Sequence, residues 1–329
     1  MPELYPLLLR PQFHERVWGA RDLAPIYDKK ADKEPIGEAW LTGDASQIAN
    51  GALAGKTLSE ASKTFGTKLV GDAAPQKDRF PLLIKFLFPR EKLSVQVHPD
   101  DEGARRVGEP CGKTECWYCL TAEPGAQVGL GVKPGTTREQ MEIAIRENRA
   151  EHLLNWIDVH PGDLIYVDAG TVHAIGPGSI LVETQQNSDT TYRLYDYGRP
   201  RELHVKQGLE AMKPETHAGK VMQGSVGEGH VNLVSSPSFV VDRYEIEEVQ
   251  TLGRGGKPDE KSSVRVLVAL EGCGVVTSEG TPDVTFARGD AVVVPASVGE
   301  FTVRPQWEIE FLCAWLPGRD LPPPRTRLL

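Results

Sequence analysis

The sequence predicts a mostly β protein built from two related strand-rich units, with a few helices at the periphery. Three observations carry that expectation: frequent Gly and Pro, short apolar runs between them, and an ungapped internal repeat. The 25 prolines and 33 glycines separate PLLIKFLF, LSVQVHP, TECWYCL, DLIYV, SILVET, VRVLVAL, AVVVP and EIEFLCAWL. Runs of that length, rich in β-branched and aromatic residues and bounded by turn formers, read as strands of a sandwich or barrel.

Helical periodicity is limited to a few stretches. In TTREQMEIAIREN, Thr136 and Glu139 form a predicted capping box before Met141, Ile143, Ala144 and Ile145. Thr57-Leu58-Ser59-Glu60 opens a second box, and HVKQGLEAM at 204–212 suggests one more helix.

The repeat lays HPGDLIYVDAGTVH (160–173) on ARGDAVVVPASVGE (287–300), with Gly162-Asp163 on Gly289-Asp290. Upstream, ECWYCLTAEPG falls on RVLVALEG and places Leu120 on Leu270, so one β-unit occurs twice. The polar, Gly-rich stretch 213–230 has little apolar periodicity and marks the boundary between units 1–220 and 221–329.

A chain of 329 residues, 40% hydrophobic and 25% charged, is long enough for about two domains of ordinary globular composition. Its net charge of −9 leaves no broad basic face for a nucleic-acid backbone or an anionic membrane, although single Lys and Arg residues could hold one phosphate. The opening MPELYPLLLRPQF has only a three-leucine run flanked by prolines, too short for a signal peptide, and no segment reads as a membrane span. Five cysteines without a framework fit reduced thiols, and the expected location is the cytoplasm. Cys116 and Cys119 form a lone C-x-x-C in a strand-like run, where period-2 alternation turns the sulfurs to opposite faces; they read as core thiols, not a zinc ribbon.

Gln96 and His98 in SVQVHPDD are two apart on a strand and leave the same face. Glu115 follows a Gly-containing turn, and His173 closes GDLIYVDAGTVH. Two imidazoles, a carboxylate and a neutral amide suit one catalytic Zn²⁺ that keeps a position for water or substrate. The second copy carries Arg265 and Glu300 at the equivalents of Glu115 and His173, so it keeps the strand pattern and loses the ligand types. His14, His152, His204, His217 and His230 read as surface or hydrogen-bonded histidines, and Trp18, Trp40 and Trp117 as core.

The run Gly162–His173 resembles the second cupin motif, with Asp168 in the usual proline slot, which Pro295 fills in the second copy. The implied fold is a double cupin of two jelly-roll β-barrels. PIGEAW (35–40), QVHPDD (96–101), GKTECWY (112–118), GTVHAIG (170–176) and ETQQNSDTTYRLYDYGR (183–199), in that order, resemble class I mannose-6-phosphate isomerase of the short bacterial form. The long helical insert of other forms has no room between Glu115 and His173, and Thr114 stands where longer members have proline.

The resemblance implies a zinc site of Gln96, His98, Glu115 and His173, and adds Lys113, Glu183, Asp189 and Arg193 as catalytic residues. It implies interconversion of mannose 6-phosphate and fructose 6-phosphate through ring opening and an enediolate. Glu183, Asp189, Lys113 and a metal-bound water are the candidate acid/base groups, and Arg193 fits either phosphate binding or enediolate stabilisation. Another metal-dependent cupin enzyme, an epimerase or oxygenase, and a non-catalytic sugar-binding cupin are the alternatives; His98, Glu115 and His173 also satisfy a two-His, one-carboxylate iron set.

Overall fold

The computed structural model describes residues 3–253 and 261–328. Its sheets confirm a mostly β double cupin. In the first unit, an eight-stranded sheet runs in spatial order Gln12–Ala20, Ile36–Trp40, Leu82–Leu87, Ser179–Gln186, Glu115–Ala122, Leu164–Val167, Gly219–Val221 and Thr326–Arg327. A five-stranded sheet faces it, in the order Tyr192–Tyr195, Val95–Val97, His173–Ile175, Gln127–Val132 and Leu154–Asp158. The main path of the other large sheet runs Gly224–Gly227, His230–Ser235, Val240–Ile246, Phe301–Trp315, Arg265–Thr277, Ala291–Val294 and Leu7–Leu8. None of these orders closes on itself: the first unit packs two sheets face to face and the second is built on one nine-stranded sheet, so neither is a hydrogen-bond-closed barrel.

The central strands of the two large sheets correspond in order and register, and the correspondence extends to single hydrogen bonds. Glu115 pairs with Val167, and Arg265 pairs with Val294, as the repeat predicts. Gly162 and Gly289 share φ 88°, and their N–H groups donate to Cys119 O and Ala269 O. Asp163 Oδ2 accepts from His160 N and Asp290 Oδ2 from Ala287 N, closing the same turn. Asp168, the departure from the cupin pattern, accepts from the Thr171 hydroxyl and His217 N.

Period-2 alternation divides the buried residues into separate cores. Trp117 and Cys119 point into the first sandwich with Leu87, Val128, Leu130, Ile165 and Leu181. Cys116 and Tyr118 point the other way and join Phe86, Val182, Val266, Val268 and Leu312 in a core shared by the two large sheets. The cysteines of the C-x-x-C therefore lie on opposite faces. Leu267, Phe311 and Cys313 face the interior of the second unit.

Some local expectations shift. Thr57 caps Leu58–Phe65 with Glu60, as read, but the cap of Arg138–Arg146 is Thr137 with Gln140, not Thr136 with Glu139. Thr136 N instead donates to Lys133 O in the preceding turn. Pro99-Asp100 leads from the Val95–Val97 strand into helix Asp101–Arg106, whose Gly103 N–H is capped by Asp100 Oδ1. The polar stretch 213–230 holds strands Gly219–Val221 and Gly224–Gly227, stabilised by cross-strand pairing rather than by apolar alternation.

Candidate metal and active site

Residues directly opposite in antiparallel strands share a face, so a site can be built as a row across a sheet. Trp40 pairs with Lys85, Lys85 with Glu183, and Glu183 with Trp117. Glu115 lies two residues before Trp117, and Glu38 two before Trp40, on the same face. From the facing sheet, Arg193 pairs with Gln96, and Gln96 with His173.

His98, Glu115 and His173 converge there, all buried, with their ligand atoms within 4.8 Å of one another. His98 Nδ1 lies 3.0 Å from Thr190 O and His173 Nδ1 2.9 Å from Thr171 O. A backbone carbonyl only accepts, so each Nδ1 carries the hydrogen and each Nε2 turns its lone pair inward. His98 Nε2 and both Glu115 oxygens are buried with no hydrogen-bond partner. Such orphaned acceptors are costly, and a divalent cation among them would satisfy all three, so the donor set fits a metal. Gln96 turns its amide nitrogen to His173 Nε2 at 3.2 Å while Oε1 accepts from Ser94. A half-turn of the amide would present Oε1 to the same centre.

Buried charges extend the site away from these three residues. Lys113 Nζ lies 3.2 Å from Glu115 Oε2 and 3.9 Å from Glu183 Oε1. Lys85 Nζ lies 3.0 Å from Glu183 Oε1 and 3.9 Å from Glu38 Oε1. Arg16 completes an alternating chain at 2.8 Å from Glu38 Oε2. Losing one partner of a buried pair typically costs about 3–5 kcal/mol, so these charges hold one another in place.

Burial, reinforced by Lys113, pushes His98 down to about 3, and burial also lowers His173. Both imidazoles are therefore neutral and ready to ligate near pH 7. Burial would raise Glu115, but the Lys113 charge beside it keeps it well below the usual carboxylate range. Glu183 moves the opposite way, raised by burial and by the Glu115 charge against Lys85 and Lys113. Two neighbouring carboxylates with diverging proton affinities suit separate roles in metal binding and proton transfer.

A cleft of about 460 Å³ opens onto this row and is lined by Arg16, Glu38, Lys85, Gln96, Lys113, Glu183, Asp189, Arg193 and Arg201 among others. A larger depression of about 830 Å³ beside Arg21 and Arg90 lacks the convergent buried groups, so volume alone does not locate the site. The geometry thus brings together all eight residues singled out in the sequence. Asp189 is exposed, and Arg193 is half-buried with Nε lacking a partner.

Lys85, Glu38, Arg16 and Arg201 were missed as site residues. Lys85 had a visible signal, a lone charge inside the apolar run PLLIKFLF. Trp117 is core, as expected, but its Nε1 donates to Glu183 Oε2 at 3.1 Å. Trp40 Nε1 likewise donates to Glu38, and Trp18 lines the cleft.

Residues 7–118 match the family model described as phosphomannose isomerase type I, catalytic domain. Mannose-6-phosphate isomerase ManA of Bacillus subtilis is 36% identical over 315 residues, covering 91% of this chain and 96% of that one. The mannose-6-phosphate isomerase of Streptococcus mutans is 34% identical, covering 89% and 93%. The crystal structure of a Bacillus subtilis mannose 6-phosphate isomerase superimposes with a TM-score of 0.82 at 31% identity, covering 94% of this chain and 99% of that one. A putative mannosephosphate isomerase from Archaeoglobus fulgidus shares the fold at a TM-score of 0.75 and 20% identity.

Proposed function

The chain belongs to the type I phosphomannose isomerase family, and on that premise we propose that its cleft interconverts mannose 6-phosphate and fructose 6-phosphate by metal-dependent proton transfer. The convergence of His98, Glu115 and His173 just behind Gln96, Lys113 and Glu183 of the cleft wall carries this reading. Residues 1–220 form the catalytic cupin in this account and residues 221–329 its degenerate partner, although strands at the two ends of the chain are exchanged between the large sheets.

His98, Glu115, His173 and, after its amide turn, Gln96 would hold one Zn²⁺ per chain. That ion would act as a Lewis acid on the sugar's carbonyl and hydroxyl oxygens. Glu183 accepts the proton from carbon 2 of the open-chain aldose, leaving an enediolate. Protonation of carbon 1 by the same carboxyl, with a hydroxyl proton passing from O2 to O1, gives the ketose without gain or loss of atoms. Glu183 suits this task because burial raises its proton affinity towards neutral pH while Lys85 and Lys113 keep a carboxylate accessible. Lys113 also holds Glu115 ionised.

Arg193 takes the phosphate, since a guanidinium remains charged in a half-buried site and can fork onto an oxyanion. Asp189, exposed at the cleft mouth, receives a sugar hydroxyl. Turnover of mannose 6-phosphate in D₂O, followed by NMR, tests the transfer. Deuterium at carbon 1 of fructose 6-phosphate is expected; complete retention of the substrate's hydrogen there would contradict an exchanging base.

A further inference from the structure

We propose that Trp117 is a positioning residue for the isomerisation, fixing which oxygen of Glu183 receives the proton; this rests on Glu183 being the acceptor. Trp117 is fully buried and is Glu183's direct cross-strand neighbour. Its indole N–H donates to Glu183 Oε2 at 3.1 Å. On the other oxygen, Oε1, Lys85 Nζ lies at 3.0 Å. The indole ring meets His173 edge-on, with ring centroids 5.5 Å apart at 61°. One rigid side chain thus touches both the candidate base and a candidate metal ligand.

The chemistry of indole makes this contact directional. Nε1–H donates and cannot accept, so it does not take the proton itself and it occupies one of the two acceptor sites of Oε2. The bond holds the carboxylate plane with Oε2 towards Trp117 and Oε1 towards Lys85 and Lys113. Removing the donor leaves a buried carboxylate oxygen unpaired and free to rotate towards another partner. A small rotation of the base lowers the rate of proton transfer more than it weakens substrate binding, because binding is carried by other groups.

Two variants isolate the donor. Trp117→Phe keeps a ring against His173, and site-specific replacement by 3-benzothienylalanine keeps the bicyclic shape while exchanging N–H for sulfur. For each, kcat is expected to fall about ten- to a hundredfold, the scale of one hydrogen bond to a charged group, with KM within about twofold. Zinc bound per chain should stay unchanged, and the isotope effect with substrate deuterated at carbon 2 should rise.

In a Glu183→Gln background the same replacement should add little further loss, because the two residues act as a unit. An unchanged kcat in the benzothienylalanine protein overturns the proposal, as does an equal loss in both backgrounds, which would place the effect on His173. Full activity of Glu183→Gln alone removes the base assignment and the proposal with it. Because that single variant is measured separately, failure of the base reading is distinguished from failure of the Trp117 contact.

Discussion

Glu38 is a buried carboxylate with three partners, Arg16, Trp40 and Lys85, each supplied by the first large sheet. Burial raises its proton affinity, but Lys85, Arg16 and the Trp40 N–H together bring it down to about 2, from an ordinary 4.5. A depressed carboxylate contributes stability that is present above pH 4.5 and is lost as pH falls towards 2. At about 1.4 kcal/mol per pH unit the contribution is on the order of 3 kcal/mol. Urea unfolding of the metal-free protein should therefore show Glu38→Gln clearly less stable than the parent at pH 7, with the gap closing below pH 4.5. A gap that stays constant to pH 3 would contradict the assignment. At this scale the candidate cluster was legible because strand alternation and turn spacing put Gln96, His98, Glu115 and His173 in view. Arg16, Glu38 and Arg201 were not, since a charged residue on a strand reads the same whether it faces solvent or a cleft.

Caps and registers belong to the scale of elements. Thr57 accepts from Glu60 N, and Glu60 reaches back to Thr57 N, so both orphan donors of that helix end are satisfied. Thr57→Ala should cost about 1 kcal/mol, read as a lower denaturant midpoint with unchanged isomerase kinetics. A loss of activity at constant stability would show that the helix does something besides packing. The second box was misplaced by one residue because consecutive threonines, Thr136-Thr137, both offer a hydroxyl, and only backbone geometry decides which one caps. The strand Gly224–Gly227 escaped because all four of its residues are exposed and carry no alternation; cross-strand hydrogen bonds form it. The repeat was legible to the level of register, because a left-handed Gly followed by a turn-closing Asp constrains both copies alike.

Across the whole molecule the two units share a core between their large sheets, and strands near both ends of the chain cross over. Leu7–Leu8 pairs with Ala291–Val294, and Thr326–Arg327 with Gly219–Val221. That exchange was invisible to a boundary drawn on composition, since two-residue strands carry no periodic signal. The second unit keeps the first unit's rows with their chemistry changed. Asp242 stands where Lys85 does, Cys313 for Glu183, and Arg265 for Glu115. The Arg265 guanidinium lies 4.3 Å from the Trp315 ring centre, and Asp242 is held by His230 and Asn232, so the charges of this row meet partners other than a metal-ligand set. Among the described residues, no helix is long and apolar enough to cross a membrane.

In the proposed mechanism the His98, Glu115 and His173 cluster holds the metal on which isomerisation depends. That role is tested most directly by a coupled assay of mannose 6-phosphate conversion to fructose 6-phosphate, run before and after EDTA treatment and again after Zn²⁺ is restored. Loss of turnover on chelation and recovery on addition of one equivalent of zinc per chain are expected, with no recovery in Glu115→Gln. Undiminished turnover by the folded, metal-free protein would contradict that role.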